Sequence, residues 1–432
     1  MGEYAQDANA LILLIGVLLL LFKFFITGEI RYPVSNFTNH TFLIFLGWIF
    51  IGFVVNIPDV IPSYFKQTSG INRFLRQLFS LVLSSILFFV FYYNVISYVG
   101  KQKILILIRK TFLVSLIIVS IYGFLEFLIL RAGLSQLIPL INLFDYIPFV
   151  DVRLDTRLER LSSITYEPPA LAMYLITVAG WMFSYILTDK GLKKFIPTIL
   201  VLSLALLSGS RTSLVVVLFQ FIVFLINIFS LKKYSKLVFR IFVGTCSIIF
   251  LISVFNYKTV REFVDEKSDS LDFTNMKDNV SNQSRLGIQY TSLLIFKENP
   301  VFGVGYGQQA FHAEHKYPYW AVKNNWEFEQ KYLNERVRSF PPGYNVYTRL
   351  LAETGIIGLL LFVFFIWSFF YQANELKKDN QNKIMGIIII VSMSGFTLNW
   401  LQIDSFRMYG VWLCLALLCF LYNKKKENTN VV

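Results

Sequence analysis

Eleven apolar runs, each close to the length that crosses a lipid bilayer, recur along this 432-residue chain. A spanning helix needs about 20 mostly apolar residues. The runs lie at 9–27, 41–57, 74–98, 104–130, 168–188, 195–209, 211–230, 238–256, 345–371, 384–402 and 405–423. Backbone groups in lipid must be satisfied within their own segment, so such runs predict helices. The expected fold is all-α: a polytopic transmembrane helix bundle of about eleven spans, with ten to twelve fitting the runs. The pair 195–209 and 211–230 reads either as two helices broken at Ser208-Gly209-Ser210-Arg211 or as a re-entrant element. Only 16% of residues are charged, against about 25% in a soluble domain. Cys246, Cys414 and Cys419 all fall inside apolar runs, which argues against a disulfide framework or a thiolate metal site. The N-terminal residues include Glu3 and Asp7 and no basic stretch, so the first run is expected to stay as a helix.

A net charge of +13 raises the question of nucleic acid, and the placement of the charge answers it. The basic residues cluster between apolar runs: Lys101, Lys103, Arg109 and Lys110; Lys190, Lys193 and Lys194; Lys232, Lys233, Lys236 and Arg240; Lys377, Lys378 and Lys383; and Lys424 to Lys426. That is the pattern of cytoplasmic loops under the positive-inside rule, and nucleic acid is not an expected partner. The runs allow an even number of spans between successive clusters, so all five can face the cytoplasm. The C-terminus is then cytoplasmic and the N-terminus outside.

The chain reads as three regions: N-terminal helices over 1–256, a large outer loop over 257–343, and C-terminal helices over 344–432. The loop balances eleven Lys/Arg against eleven Asp/Glu. A helical patch runs from Arg285 to Lys297, and turns stand at Asn299-Pro300 and Pro341-Pro342-Gly343. A connection this long is usually functional or disordered. Its many aromatics, among them Tyr306, Phe311, Tyr317, Trp320 and Phe328, predict that it folds.

Charges near the outer leaflet are the informative ones, because lipid penalises them. Arg211 follows Ser208-Gly209-Ser210 between two apolar runs. It either snorkels to headgroups or holds a phosphate or pyrophosphate, for which an arginine fork is suited. Arg160 and Glu167 flank Leu-Ser-Ser-Ile-Thr-Tyr, just before Pro168-Pro169 opens a helix. Glu167 either complements the helix dipole or serves a site. Arg285 is a solvated surface residue or an anion ligand. Asp404 and Arg407 share a short outer turn, as an ion pair or as part of a site. His312 and His315 lack the further ligands that zinc normally needs. Gly303, Gly305 and Gly307 read as a tight turn, since no βαβ unit surrounds them.

Several of these segments, in order, resemble the O-antigen polymerase and ligase superfamily. Leu207-Ser-Gly-Ser-Arg211-Thr-Ser-Leu214 is similar to its serine-glycine-serine-arginine signature. Arg160-Leu-Ser-Ser-Ile-Thr-Tyr-Glu167-Pro168 resembles its arginine-to-proline motif. Ser284-Arg285, followed by Lys297-Glu-Asn-Pro300-Val-Phe-Gly303-Val-Gly305-Tyr-Gly307, looks like its loop motif. Tyr344-Asn345-Val-Tyr347-Thr-Arg-Leu-Leu-Ala-Glu353-Thr-Gly355-Ile-Ile-Gly358 resembles the stretch where the family's chain re-enters the membrane, and Asp404-Ser-Phe-Arg407 also fits. The resemblance spans roughly residues 70–423.

The resemblance implies a glycosyltransferase of the bacterial inner (cytoplasmic) membrane, with its large loop periplasmic. Its substrates would be undecaprenyl-pyrophosphate-linked oligosaccharides, as both donor and acceptor, within membrane lipids. A chain-length regulator and a flippase are the proteins such an enzyme works beside. Ligases of the family carry a histidine just before the asparagine of the Asn-x-Tyr stretch. Tyr344 stands there, which favours a polymerase over an O-antigen ligase acting on a lipid A-core acceptor.

Glycosyl transfer from such a donor needs cations for the departing pyrophosphate and a base for the acceptor hydroxyl. Arg211, Arg285, Arg160 and Arg407 are the expected pyrophosphate ligands. Glu167 is the first candidate base and Glu353 the second. Tyr344, Asn345 and Tyr347 are expected substrate contacts. No metal or other cofactor is expected. A transporter or flippase of lipid-linked sugars predicts charges through the midplane, often in paired discontinuous helices, and a lipid scaffold has no need of a folded outer loop.

Overall fold

The structure is a computed structural model that describes residues 8–147, 150, 152–156, 160–230 and 280–430. The run expected at 238–256, the basic cluster at Lys232 to Arg240, Cys246, the first part of the outer loop (257–279) and Asp151, Arg157 and Glu159 lie outside the described residues, as do Glu3 and Asp7. The described chain is overwhelmingly helical; its one sheet is the hairpin Tyr64–Phe65 with Thr68–Ser69.

Among the described residues, six helices are long and apolar enough to cross a membrane: Phe37–Val55, Gly70–Val99, Lys101–Leu130, Pro168–Thr188, Arg211–Phe229 and Val346–Lys378. Leu11–Thr27 and Lys383–Asn399 are shorter apolar helices. The chain is thus an all-α polytopic membrane protein. The uncertain pair resolves into two helices, Ile196–Leu207 and Arg211–Phe229, separated where Gly209 takes a positive φ of 64°. Many large apolar side chains on the spanning helices face outward, as lipid-facing surfaces do, including Phe50, Ile106, Phe124 and Ile226.

Two compact units make up the chain: residues 1–46, 78–224 and 361–432 form one, and residues 47–77 and 225–360 the other. In the first, small residues let helices pack closely. A Cβ on Gly180 would lie 2.6 Å from Ser392 Oγ, and one on Gly395 only 2.2 Å from Gln220 Nε2. Gln220, fully buried, donates to the carbonyls of Ile176 (3.0 Å) and Val391 (3.2 Å) and so ties three helices together. Close approach plus interhelical hydrogen bonding is how helices associate where lipid removes the hydrophobic drive. Cys414 and Cys419 are buried and free in this unit.

The second unit is built on the Val280–Glu298 helix. Ile288, Ala321, Phe328 and Tyr332 form one core cluster, and Ile295, Val304, Ala313 and Ala352 another. Its hairpin turns through Lys66 and Gln67, both at positive φ. Lys66 is 1% exposed and donates from Nζ to the carbonyls of Lys331, Asn334 (3.0 Å) and Val337 (3.0 Å). Burial holds its ammonium below the ordinary lysine value. A buried cation is tolerable only when its donors are satisfied, and here three loop carbonyls do so.

The Val346–Lys378 helix is broken at Gly355 (φ 67°, ψ −170°). The break leaves carbonyls without helical partners, and the loop at 300–305 supplies them. Val304 N donates to Ala352 O (2.9 Å), Gly305 N to Glu353 O (3.0 Å) and Trp48 Nε1 to Thr354 O (2.9 Å), while Ile356 N donates to Pro300 O (2.9 Å). Gly303 is therefore a packing requirement, because its Cβ would sit 2.5 Å from the Glu353 carbonyl carbon. Gly355 is another, with Val301 O at 2.1 Å.

Candidate functional site

The sequence-selected residues fall into two sets, one in each unit. In the first unit, Arg160 meets the turn from Ser208 to Arg211. A Cβ on Gly209 would be 3.1 Å from Arg160 Cγ, so the arginine's aliphatic stem rests on the glycine. Ser210 begins the following helix: its carbonyl accepts from Leu214 N (3.1 Å) and its hydroxyl from Ser213 N (3.3 Å). Arg211 is thus the first helical residue, and it is exposed. A cation there opposes the helix dipole, and an anion relieves the conflict.

Glu167 precedes the Pro168–Phe183 helix in extended conformation. Its carbonyl accepts from Ala170 N (3.0 Å) and Leu171 N (3.2 Å), and its side chain is at the surface. Arg407 is half-buried on its own turn, with Nε 3.3 Å from Ser405 Oγ. Two buried indoles pin that turn: Trp400 Nε1 donates to Ser405 O (3.2 Å) and Trp412 Nε1 to Phe406 O (3.0 Å).

In the second unit, Arg285, Tyr344 and Asn345 come together. The Arg285 guanidinium lies over the Tyr344 ring at 5.2 Å, and its Nε is buried with no hydrogen-bond partner among the described residues. Tyr344 takes a positive φ of 56°, unusual for a bulky residue. Its hydroxyl shares a 2.6 Å hydrogen bond with that of Tyr332. Burial pushes the Tyr332 hydroxyl above the ordinary tyrosine value, and the bond to Tyr344 adds to the rise. Asn345 caps the re-entry helix: its Oδ1 accepts from Tyr347 N (2.9 Å) and Thr348 N (3.2 Å). Its Nδ2 reaches Gln289 Oε1 at 3.4 Å. Tyr347 follows in the first turn, half-buried.

Glu353 is only 3% exposed and accepts from Arg349 Nε at 3.0 Å. Arg349 also donates to Gln77 Oε1 (2.9 Å) and lies over the Tyr306 ring at 5.1 Å. Arg349 escaped sequence reasoning, although its i,i+4 spacing from Glu353 signals such a pair. Tyr332 and Glu126 escaped it too. Glu126 carries the plainer signal, being a carboxyl group inside an otherwise apolar run. The loop aromatics divide: Phe328, Tyr306 and Tyr332 are core, whereas Tyr319, Trp320 and Trp326 are exposed.

The protein family described as O-antigen ligase matches residues 196–363. That match supports the resemblance to the O-antigen polymerase and ligase superfamily. No curated protein matches it. The matched segment contains Arg211, Arg285, Tyr344, Asn345, Tyr347 and Glu353, while Arg160, Glu167 and Arg407 lie outside it. That similarity implies a glycosyltransferase-like enzyme, and it falls on a chain with helices long and apolar enough to cross a membrane.

Proposed function

We propose that the protein polymerises undecaprenyl-pyrophosphate-linked oligosaccharide repeat units at the outer face of the inner membrane. The growing glycan moves from its lipid pyrophosphate to the non-reducing end of a new lipid-linked unit. The bond between the sugar's anomeric carbon and the pyrophosphate oxygen breaks. A glycosidic bond to the acceptor hydroxyl forms, the hydroxyl proton passes to a base, and lipid pyrophosphate leaves.

The carrying observation is the environment of Tyr344, the position where family ligases hold a histidine. Its hydroxyl is shared with Tyr332, a tyrosine that burial keeps protonated at neutral pH. A pair of neutral phenols cannot do the proton-accepting work of an imidazole, whose ordinary pKa is about 6.5. That favours the polymerase over a ligase. Arg285, with a buried Nε open to an acceptor, and Arg211, at a helix start with Arg160 resting nearby on Gly209, are two separate arginine sets. Arg160, Arg211, Arg285 and Arg407 are the proposed pyrophosphate ligands. Glu167 is the proposed general base, because Glu353 is committed to Arg349. Tyr344, Asn345 and Tyr347 line the sugar-facing side of the second set. The reaction as drawn uses arginines alone for charge stabilisation.

Replacing Arg211 or Arg285 by alanine in the source strain tests the reading. With membrane expression confirmed, each variant is expected to leave a single repeat unit on the lipid anchor in place of a polymer ladder. Normal ladders from both variants would sink it. Polymer that forms but stays unattached identifies a ligase instead.

A further inference from the structure

Glu126 lies near the outer end of the Lys101–Leu130 helix and is 0% exposed. Among the described residues, no lysine or arginine pairs with it. Its partners all come from the loop that carries Arg160 and Glu167. Ser162 N donates to Oε1 at 3.1 Å, Ser162 Oγ to the same oxygen at 3.3 Å, and Ser163 N to Oε2 at 2.8 Å. The loop returns a fourth bond to the same helix, from Ser163 Oγ to Val119 O at 2.7 Å. Ser163 reaches this pose only at a positive φ of 52°. Gly123, one turn before Glu126, gives room to Leu204, since a Cβ there would lie 2.8 Å from Leu204 Cδ2, and Ser163 Oγ would be in ordinary contact at 3.8 Å. Leu161 is buried beside it, 1% exposed.

A carboxyl group without a countercation is a poor choice for a purely structural core, where an apolar residue of the same volume costs less. What it does here is accept from two consecutive backbone amides, which fixes the path of one short segment. Arg160 stands two residues before those amides and rests on Gly209, two residues from Arg211. Glu167 stands four residues after them. We propose that Glu126 is a positioning residue: it sets the loop so that Arg160 and Glu167 meet the substrate. This rests on the reading of the protein as a polymerase of lipid-linked glycans, but the loop-docking half stands without it.

The test uses the full chain in nanodiscs, as wild type, Glu126→Gln and Glu126→Asp. Hydrogen exchange across residues 160–166 reports docking. Extension of lipid-linked repeat units, extracted from the source strain lacking this gene, reports turnover. Glutamine presents an N–H group to a backbone N–H, so one amide loses its acceptor. A lost hydrogen bond to such a group is expected to speed exchange about tenfold or more, in this segment only. Turnover should fall by about 100-fold through kcat, with KM changing less, as misplaced groups do. Aspartate keeps both acceptor oxygens on a shorter stem and should recover part of each effect; it also serves if the glutamine variant fails to fold. Unchanged exchange at 160–166 overturns the proposal. So does acceleration spread through the helices, which marks a stability role, or normal turnover with a loosened loop. If the wild-type protein does not extend lipid-linked units at all, the polymerase reading fails, and the exchange data alone decide whether Glu126 docks the loop.

Discussion

Two carboxylates and one tyrosine separate the possible chemistries most sharply. Glu353 faces Arg349 at 3.0 Å in a buried pair, so its carboxylate is already engaged by a guanidinium. Glu167 sits exposed at a helix start. Glu167→Gln is therefore expected to lower turnover about 100-fold or more, the usual contribution of a general base. Tyr344→Phe removes a hydroxyl that the account assigns no proton transfer, so turnover should stay within about threefold. The same change leaves the buried Tyr332 hydroxyl without its partner, at a cost of about 1–3 kcal/mol in stability. Steady-state kinetics beside thermal unfolding would separate the two effects, and a large kcat loss in Tyr344→Phe speaks against the assignment. These residues were legible to different degrees. Arg211 stood out because it is the one charged residue across the two apolar runs at 195–230. Glu126 and Arg349 did not, because what makes them informative is which backbone amides and side chains they meet, and that depends on loops folding back onto helices.

The helices themselves were largely readable, since lipid-length apolar runs leave the backbone few alternatives. The described helices follow the apolar runs along most of the chain, and Ser208-Gly209-Ser210 does separate two of them. The break at Gly355 was not readable as a break, because the residues on both sides continue an apolar, helix-compatible pattern. It exists because the loop at 300–305 inserts its amides against the carbonyls of Ala352 and Glu353. Gly303 and Gly355 thus form one element, a loop-to-helix seam that allows no side chain at either position. Alanine at Gly355 meets Val301 O at 2.1 Å and demands a positive φ as well. Gly355→Ala and Gly303→Ala are each expected to cost about 2 kcal/mol or more and to lower the thermal midpoint of purified protein. Unaltered melting of both would remove the seam from the account. Asn345 shows the same lesson on a smaller scale: a residue read as a substrate contact also caps the helix that it precedes.

For the whole molecule, the positive-inside pattern predicts five basic clusters in the cytoplasm and the loop at 257–343 outside. Reporter fusions should find the ends of the Lys377–Lys383 and Lys101–Lys110 segments inside, and a fusion near Trp326 outside; the reverse pattern would contradict the proposed face of action. Extension of lipid-linked repeat units by this chain is the central claim. The most direct test is turnover by purified wild-type protein given only lipid-linked repeat units extracted from the source strain. The account predicts a ladder of lipid-linked products, each longer by one repeat, with release of lipid pyrophosphate. Recovery of unextended units, or transfer only when a different acceptor is added, would contradict it.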